Sequence, residues 1–163
     1  DLYSPIDCAW LHRDAATALE QAVAWLAAHR PDHHLLVLDA LRPQRVQQQL
    51  WDALQGTELL GYIAEPSRGS IHSFGMALDI TIVGPDGQEL DMGTGFDDLS
   101  ERSHPSLELV LLEKGEITKE HVAHRRLLRG AMFQAGFFGI NSEWWHFDCG
   151  DRVLVRQTYT RVL

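Results

Sequence analysis

The segment 76–83 constrains the fold more than any other part of the sequence, because its side chains alternate in character along its length. Apolar residues occupy every second position, and the opposite face carries smaller or polar side chains that include Asp79 and Thr81. A period of two predicts a strand with one face in a core. Turn-forming residues at 85–87 predict a hairpin that returns through 89–90. A second apolar run, 35–38, predicts another buried strand.

Three segments have the pattern of amphipathic helices. Asp14 is the predicted N-cap of the first, which runs to about residue 30; the second covers 43–55, and the third begins after Thr118 and ends at Gly136. The predicted apolar stripes of the first and third helices are Leu19, Val23, Leu26, Ala123, Leu127, Ala131 and Ala135.

The remaining segments complete the predicted fold. A last strand is expected over 144–147, and the stretches 56–70 and 93–105 are expected to be irregular. Helices and strands mix without a regular βαβ alternation. The sequence therefore predicts an α+β fold with a small, mostly antiparallel sheet and flanking helices.

Length and charge narrow the possible functions. The 163 residues fit a single domain, 1–163. Lysine and arginine number 14 against 23 acidic residues, and the resulting net charge of −9 argues against nucleic-acid binding. There is no apolar run of about 18 residues, so no membrane span is expected, and the N-terminal residues do not have the pattern of a signal peptide. Cys8 and Cys149 are predicted to be ordinary thiols, and the oligomeric state stays open.

Two short segments carry residues suited to metal chemistry. The segment 70–79 contains His72 and Asp79, and the segment 142–146 contains Glu143 and His146. Catalytic zinc commonly takes three nitrogen or oxygen ligands from the protein and leaves a fourth position for water. Two histidines and one aspartate would leave a net charge of about +1 on the ion, which favours ionisation of that water.

The spacing of these residues restricts how they can meet. Residues three apart in a regular strand point to opposite faces, so Glu143 and His146 require either a loop or a bulge between them. His72 must lie outside the strand that contains Asp79, and Gly75 permits a bend between the two. From spacing alone, hydrogen-bonded structural histidines and a solvated aspartate remain alternatives to a metal site.

The motif SxHxxGxAxD at 70–79, followed by EWWH at 143–146, resembles the D-alanyl-D-alanine dipeptidases. These are zinc peptidases associated with vancomycin resistance and D-alanine scavenging. The segments 39–44 (DALRPQ), 90–97 (LDMGTGFD) and 101–104 (ERSH) match the same family in the same order. The resemblance implies a hedgehog/DD-peptidase-like fold in a bacterial protein, for which the cytoplasm is favoured over the periplasm.

The resemblance also assigns roles to individual residues. It implies one zinc ion per chain, held by His72, Asp79 and His146. It implies that Glu143 is the general base and that Arg42 stabilises the oxyanion. A guanidinium suits that second role because it is always charged and presents several hydrogen-bond donors.

The implied substrate is a small dipeptide, D-Ala-D-Ala. Asp97 would receive its ammonium group, and Ser70 and Tyr3 match residues near the substrate pocket of the family. The chain departs from the family in two places: the stretch 2–7 is shorter than usual, and Phe74 stands where many relatives have arginine.

Other functions remain open at this stage. A related peptidoglycan D,D-carboxypeptidase or L-Ala-D-Glu endopeptidase would share the ligand pattern, and so would a non-catalytic zinc-binding module. His121 and His124 lie off the predicted stripe of the third helix and are expected to face solvent. No GxSxG nucleophile elbow is present to support a serine hydrolase.

Overall fold

The computed structural model describes residues 9–163 and has the predicted α+β class. Its antiparallel sheet has the order β1-β2-β4-β3. The strands are β1 (His34–Asp39), β2 (Ala77–Val83), β3 (Phe137–Gly139) and β4 (His146–Cys149). The helices are α1 (Arg13–His29), α2 (Gln44–Ala53), α3 (Glu108–Glu113), α4 (Lys119–Gln134) and α5 (Arg152–Thr158). Tyr3 and Cys8 lie outside the described residues.

The core forms around β2, which pairs with β1 on one side and with β4 on the other. Its apolar residues Leu78, Ile80 and Ile82 are fully buried in one cluster with residues of α1 and α4. A smaller cluster includes Ala77 and Phe74 together with Val155 of α5. Within 9–163, no helix has the length and apolar character needed to cross a membrane.

The predicted helices form, but some of their details are wrong. His12, not Asp14, is the N-cap of α1, because its Nδ1 accepts a hydrogen bond from the backbone N–H of Asp14. Val23 is half exposed, whereas Ala22 is buried in its place. Alanine occurs on several sides of α1, so hydropathy alone did not separate its faces.

The predicted apolar stripe of α4 is right at its C-terminal end, where Ala131 and Ala135 are buried, and wrong at its N-terminal end. Val122 and Leu128 are buried, and Ala123 is exposed. The buried face of α4 includes Arg125, whose charge made this side of the helix look polar in the sequence. Thr118 caps the helix as predicted.

The strand predicted at 35–38 forms as β1 but is not buried, because Leu36 and Val37 are exposed. The remaining differences involve short elements. The elements α3, α5 and β3 have six, seven and three residues and were not predicted, because a periodic pattern cannot develop over so few positions. Residues Glu58–Tyr62 form a 3-10 helix inside a predicted loop. Pro43 is the N-cap of α2 and not its first residue. The expected hairpin after β2 is reduced to one bridge between Val83 and Glu89.

Candidate metal centre and active-site cleft

Pairing between the two central strands brings the candidate metal ligands together. Asp79 of β2 lies directly opposite His146 of β4. His72 comes from a 3-10 turn (Ile71–Phe74) that precedes β2. Gly75 ends this turn with φ of +65°, and a Cβ there would lie 2.8 Å from the backbone nitrogen of His12. Glycine therefore provides the bend that the sequence spacing required.

Three atoms of these residues form a compact triangle. His72 Nε2 lies 3.2 Å from His146 Nδ1 and 3.4 Å from Asp79 Oδ1, and the third edge, from His146 Nδ1 to Asp79 Oδ1, is 3.0 Å. Two ligands bonded at about 2.0–2.1 Å to one tetrahedral zinc ion are about 3.3–3.4 Å apart. All three residues are buried. The triangle therefore has the dimensions of one face of a tetrahedral metal site.

Hydrogen bonds on the outer side of each ring determine which nitrogen faces this triangle. His72 Nδ1 donates to the carbonyl of Ala40 at 2.7 Å, so the lone pair of Nε2 points inward. His146 Nε2 donates to Asp148 Oδ1 at 2.9 Å, which leaves the lone pair of Nδ1 pointing inward when the ring is neutral. Two lone pairs and the carboxylate of Asp79 then converge. Because acceptors repel one another unless a cation lies between them, the donor set fits a metal ion.

Asp79 and His146 each stabilise the charge of the other. Burial alone would raise the pKa of Asp79, but His72 and His146 outweigh it and hold that pKa well below its usual range. Burial opposes a charged His146, but hydrogen bonds to Asp148 and Asp79 outweigh it and raise the pKa of His146 to about 10. Asp79 is therefore anionic, and a proton and a metal ion compete for the same nitrogen of His146.

Asp148 is a functional candidate that the sequence reasoning missed. Its Oδ1 orients His146, and its Oδ2 accepts a hydrogen bond from Arg152 Nε at 2.5 Å. Burial alone would raise the pKa of Asp148, but His146 and Arg152 together lower it. The available signal was its spacing, since residues two apart in a strand point to the same face.

Glu143 lies in the loop before β4, so the loop alternative accounts for its spacing from His146. It lines the same cleft as the three ligand candidates, in a cavity of about 720 Å³. Its side chain accepts no hydrogen bond from any residue in 9–163. Burial, and to a smaller extent the negative charge of Asp79, raise the pKa of Glu143. A carboxylate with a raised pKa and no fixed partner is suited to accept and return a proton.

Arg42 also lines the cleft, just after the end of β1. Asp39 Oδ2 accepts hydrogen bonds from its Nε at 3.0 Å and its Nη2 at 2.6 Å. Nη2 also lies 3.5 Å from Asp79 Oδ2. The sequence reasoning gave Asp39 no role, although its position three residues before Arg42 was visible. The ion pair directs a fixed positive charge toward the metal ligands.

Asp97 lies at the exposed rim of the cleft, in the loop between β2 and α3. Among residues 9–163 it is the only residue other than glycine with a positive φ, at 61°. Partial burial of its carboxylate, and then the negative charge of Asp79, raise the pKa of Asp97. Placement of a carboxylate in this strained conformation beside the cleft is typical of a functional position.

The two tryptophans of the EWWH segment hold the loop that contains Asp97 in place. Trp144 Nε1 donates to Thr94 Oγ1 at 2.9 Å, and the edge of Trp145 contacts Phe96 with ring centroids 5.7 Å apart. Both tryptophans are buried. The segment that supplies Glu143 and His146 thus also positions the loop of Asp97.

The other candidate residues have different outcomes. Ser70 is buried and lines the cleft, whereas Tyr3 lies outside the described residues. The expectation that His121 and His124 face solvent is only partly met, because both side chains are half-buried. His121 Nε2 is 3.1 Å from Asp91 Oδ2, and His124 Nδ1 is 2.7 Å from the carbonyl of Asp91. The first turns of α4 contact the segment after β2, which partly covers both rings.

Comparison with known proteins identifies the family. Residues 2–163 match the peptidase M15 family model, which is described as D-ala-D-ala dipeptidase. The chain belongs to this family. The resemblance that the motifs indicated is therefore confirmed over nearly the whole sequence.

Individual relatives agree with this assignment. The D-alanyl-D-alanine dipeptidase of Escherichia coli (strain K12) is 39% identical over 141 residues, covering 85% of this chain and 65% of the relative. The protein of the same name from Synechocystis is 33% identical over 165 residues, covering 83% of this chain and 67% of the relative. That from Enterococcus faecium is 30% identical over 136 residues, covering 72% and 62%. The chain spans about two thirds of the length of these M15 relatives.

Proposed function

We propose that this protein is a zinc-dependent dipeptidase that hydrolyses D-Ala-D-Ala. The observation that carries the proposal is the convergence of three metal-ligating atoms, from His72, Asp79 and His146, in the cleft that also contains Glu143. The names of the relatives support the choice of substrate. We further propose one zinc ion per chain and a cytoplasmic location in a bacterium.

The three ligand candidates would hold the ion by His72 Nε2, Asp79 Oδ1 and His146 Nδ1. A zinc ion bound there supplies a Lewis acid that polarises the scissile carbonyl and favours ionisation of a water molecule. Glu143 accepts the proton of the attacking water as the new C–O bond forms. It then gives a proton to the nitrogen of the leaving D-alanine as the C–N bond breaks, so one carboxylate acts as base and then as acid.

Arg42 stabilises the negative charge that develops on the carbonyl oxygen. Its ion pair with Asp39 fixes the direction of the guanidinium before the substrate arrives. Donors that are already oriented cost no reorganisation as the charge develops, which is the basis of oxyanion stabilisation.

Asp97 and Ser70 provide the polar contacts for a small zwitterionic substrate. Asp97 pairs with the ammonium group at the N-terminus of the dipeptide, and Tyr3 is proposed to contribute to the same pocket. A carboxylate at the rim would be left without a partner beside an amide, so it favours free dipeptides over the same two residues in a longer chain.

The decisive experiment compares three substrates with the zinc-reconstituted protein: D-Ala-D-Ala, its N-acetylated form, and a muropeptide that ends in D-Ala-D-Ala. We expect rapid hydrolysis of the free dipeptide alone. Preferential cleavage of the acetylated form or of the muropeptide would instead indicate the D,D-carboxypeptidase or the endopeptidase alternative. Zinc binding without turnover of any of these would indicate a non-catalytic zinc-binding module.

A further inference from the structure

The cleft has a basic part beside Asp148 that the proposed mechanism does not use. Arg68, Arg152 and Arg156 line the cleft here, and we refer to these three residues as the basic end. Arg152 is joined to the metal site through Asp148, whose other carboxylate oxygen contacts His146. The basic end therefore lies next to the metal ligands within one continuous cavity.

Hydrogen bonds hold two of the three guanidinium groups in place. Arg152 Nε donates to Asp148 Oδ2. Arg156 donates from Nε and Nη2 to the carbonyl of Gly69, at 3.2 and 3.1 Å, and from Nη1 to the carbonyl of Arg152 at 3.2 Å. Among residues 9–163, no carboxylate forms an ion pair with Arg156. Fixed guanidinium groups are well suited to bind an anion, since little side-chain freedom is lost on binding.

Arg68 differs from the other two because its side chain makes no hydrogen bond or ion pair with any residue in 9–163, and it is exposed. The acidic residues at this end are Asp148, which already pairs with Arg152, and Glu65, which forms no ion pair with Arg68. Burial, and then repulsion from Arg68 and Arg152, lower the pKa of Arg156. Three like charges therefore lie close together with incomplete compensation, and an anion would relieve their repulsion.

The acidic residues that line the cleft include Asp97 and Glu143, and the cation that acts on both of them, Arg42, already pairs with Asp39. The same cleft therefore offers a carboxylate at Asp97 and cations at the basic end. A zwitterionic peptide carries the complementary charges, an ammonium group and a carboxylate group.

We propose that the basic end binds the C-terminal carboxylate of the substrate through Arg68 and Arg152. This rests on the proposed function, since it assigns the residue after the scissile bond to this side of the metal ligands. The ligand class is a peptide with a free C-terminal carboxylate, and substrates that end in an amide are disfavoured.

The test compares D-Ala-D-Ala with its C-terminal amide, for the wild type and for Arg68→Gln. We expect Arg68→Gln to raise KM for the free acid about tenfold and to leave KM for the amide unchanged, because it removes a charge-assisted contact to the carboxylate alone. Arg126→Gln is the matched control, because Arg126 is an exposed arginine of α4 outside the cleft lining and should affect neither substrate. Arg152→Gln, assayed at full zinc occupancy, should reproduce the same selective effect.

A second readout separates this proposal from the proposed function. Calorimetric titration of zinc-loaded Glu143→Gln protein measures binding of the acid and the amide while hydrolysis is slow. Tighter binding of the acid that is lost on adding Arg68→Gln supports the carboxylate site, even if the wild type hydrolyses neither compound. An acid-to-amide ratio that neither Arg68→Gln nor Arg152→Gln changes, in KM or in binding, would overturn it.

Discussion

The triangle of candidate metal ligands and the loop of Asp97 line the same cleft but are held in place in different ways. Strand pairing fixes Asp79 against His146, and both residues are at most 8% exposed. Asp97 lies at the rim with a positive φ, outside any helix or strand. The triangle depends on the backbone of the sheet, whereas the loop depends on side chains that reach it from elsewhere. Metal binding and substrate selection are therefore expected to respond to different mutations.

The loop of Asp97 is closed by a buried arginine. Arg125 Nε donates to the carbonyl of Met92, and its Nη2 donates to the carbonyl of Arg102, each at 2.8 Å. These carbonyls belong to the two ends of the loop, so one side chain joins them. Together with the contact between Trp144 and Thr94, this arrangement replaces the ladder of backbone hydrogen bonds that positions the metal ligands.

The largest expected effect comes from removing one of the three candidate metal ligands. His146→Ala should abolish both tight zinc binding and hydrolysis of D-Ala-D-Ala, because the remaining two ligands cannot hold a catalytic ion. Metal analysis and activity assays would measure this. His34→Ala is the control, since His34 is exposed at the far end of β1 and should keep both properties. Retention of one tight zinc ion and near wild-type turnover in His146→Ala would contradict the ligand assignment.

Glu143→Gln should separate the ligands from the base. The amide keeps the shape of the side chain but cannot accept a proton, so kcat should fall by about 10² to 10⁴ while zinc remains bound. Zinc content and kcat measured on the same preparation would check this. Loss of zinc from this variant would mean that Glu143 is a ligand.

Asp97→Ala should impair the selection of substrate by the loop that contains it. Loss of an ion pair with the substrate ammonium should lower kcat/KM for D-Ala-D-Ala by about 10²-fold, and by much less for the N-acetylated dipeptide. Zinc content should not change. Asp98→Ala is a matched control, because Asp98 bonds the backbone of Ser100 within the same loop. Equal losses of kcat/KM on both substrates would exclude a role for Asp97 in recognising the amino terminus of the substrate.

Asp148→Asn tests the outer support of the triangle. An uncharged amide cannot match the carboxylate as partner of His146 Nε2, so zinc affinity should fall about 10- to 100-fold. Competition with a chelator of known affinity would measure this without reference to activity. Unchanged zinc affinity would show that His146 needs no orienting carboxylate.

The smallest effect is expected from Trp144→Phe, which removes the hydrogen bond to Thr94 and keeps an aromatic ring. A neutral hydrogen bond contributes about 1 kcal/mol, so discrimination between free and N-acetylated dipeptide should decrease by roughly fivefold. Zinc affinity should stay at its wild-type value. A parallel loss of zinc affinity would show that the loop and the triangle are not independent.

The sequence predicted those parts of the molecule whose pattern extends over many residues. The alternation at 76–83 gave β2, and the motifs around His72 and His146 led to the family that is now confirmed. The roles of Glu143 and Asp97 stay predictions.

Contacts that depend on the folded chain were harder to predict. Asp148 supports His146 only because β4 begins at residue 146 and not at 144. Arg125 became a core residue because two loop carbonyls and Glu108 surround it, which no local pattern could reveal.

The register between β2 and β4 links metal uptake to correct folding. Asp79 and His146 are 67 positions apart in the chain, so they meet only after most of the polypeptide has been assembled. A slip of one residue in this pairing would turn His146 to the opposite face of the sheet. The fraction of chains that take up metal should therefore equal the fraction that has folded in register, and metal stoichiometry becomes a quantitative test of refolding yield.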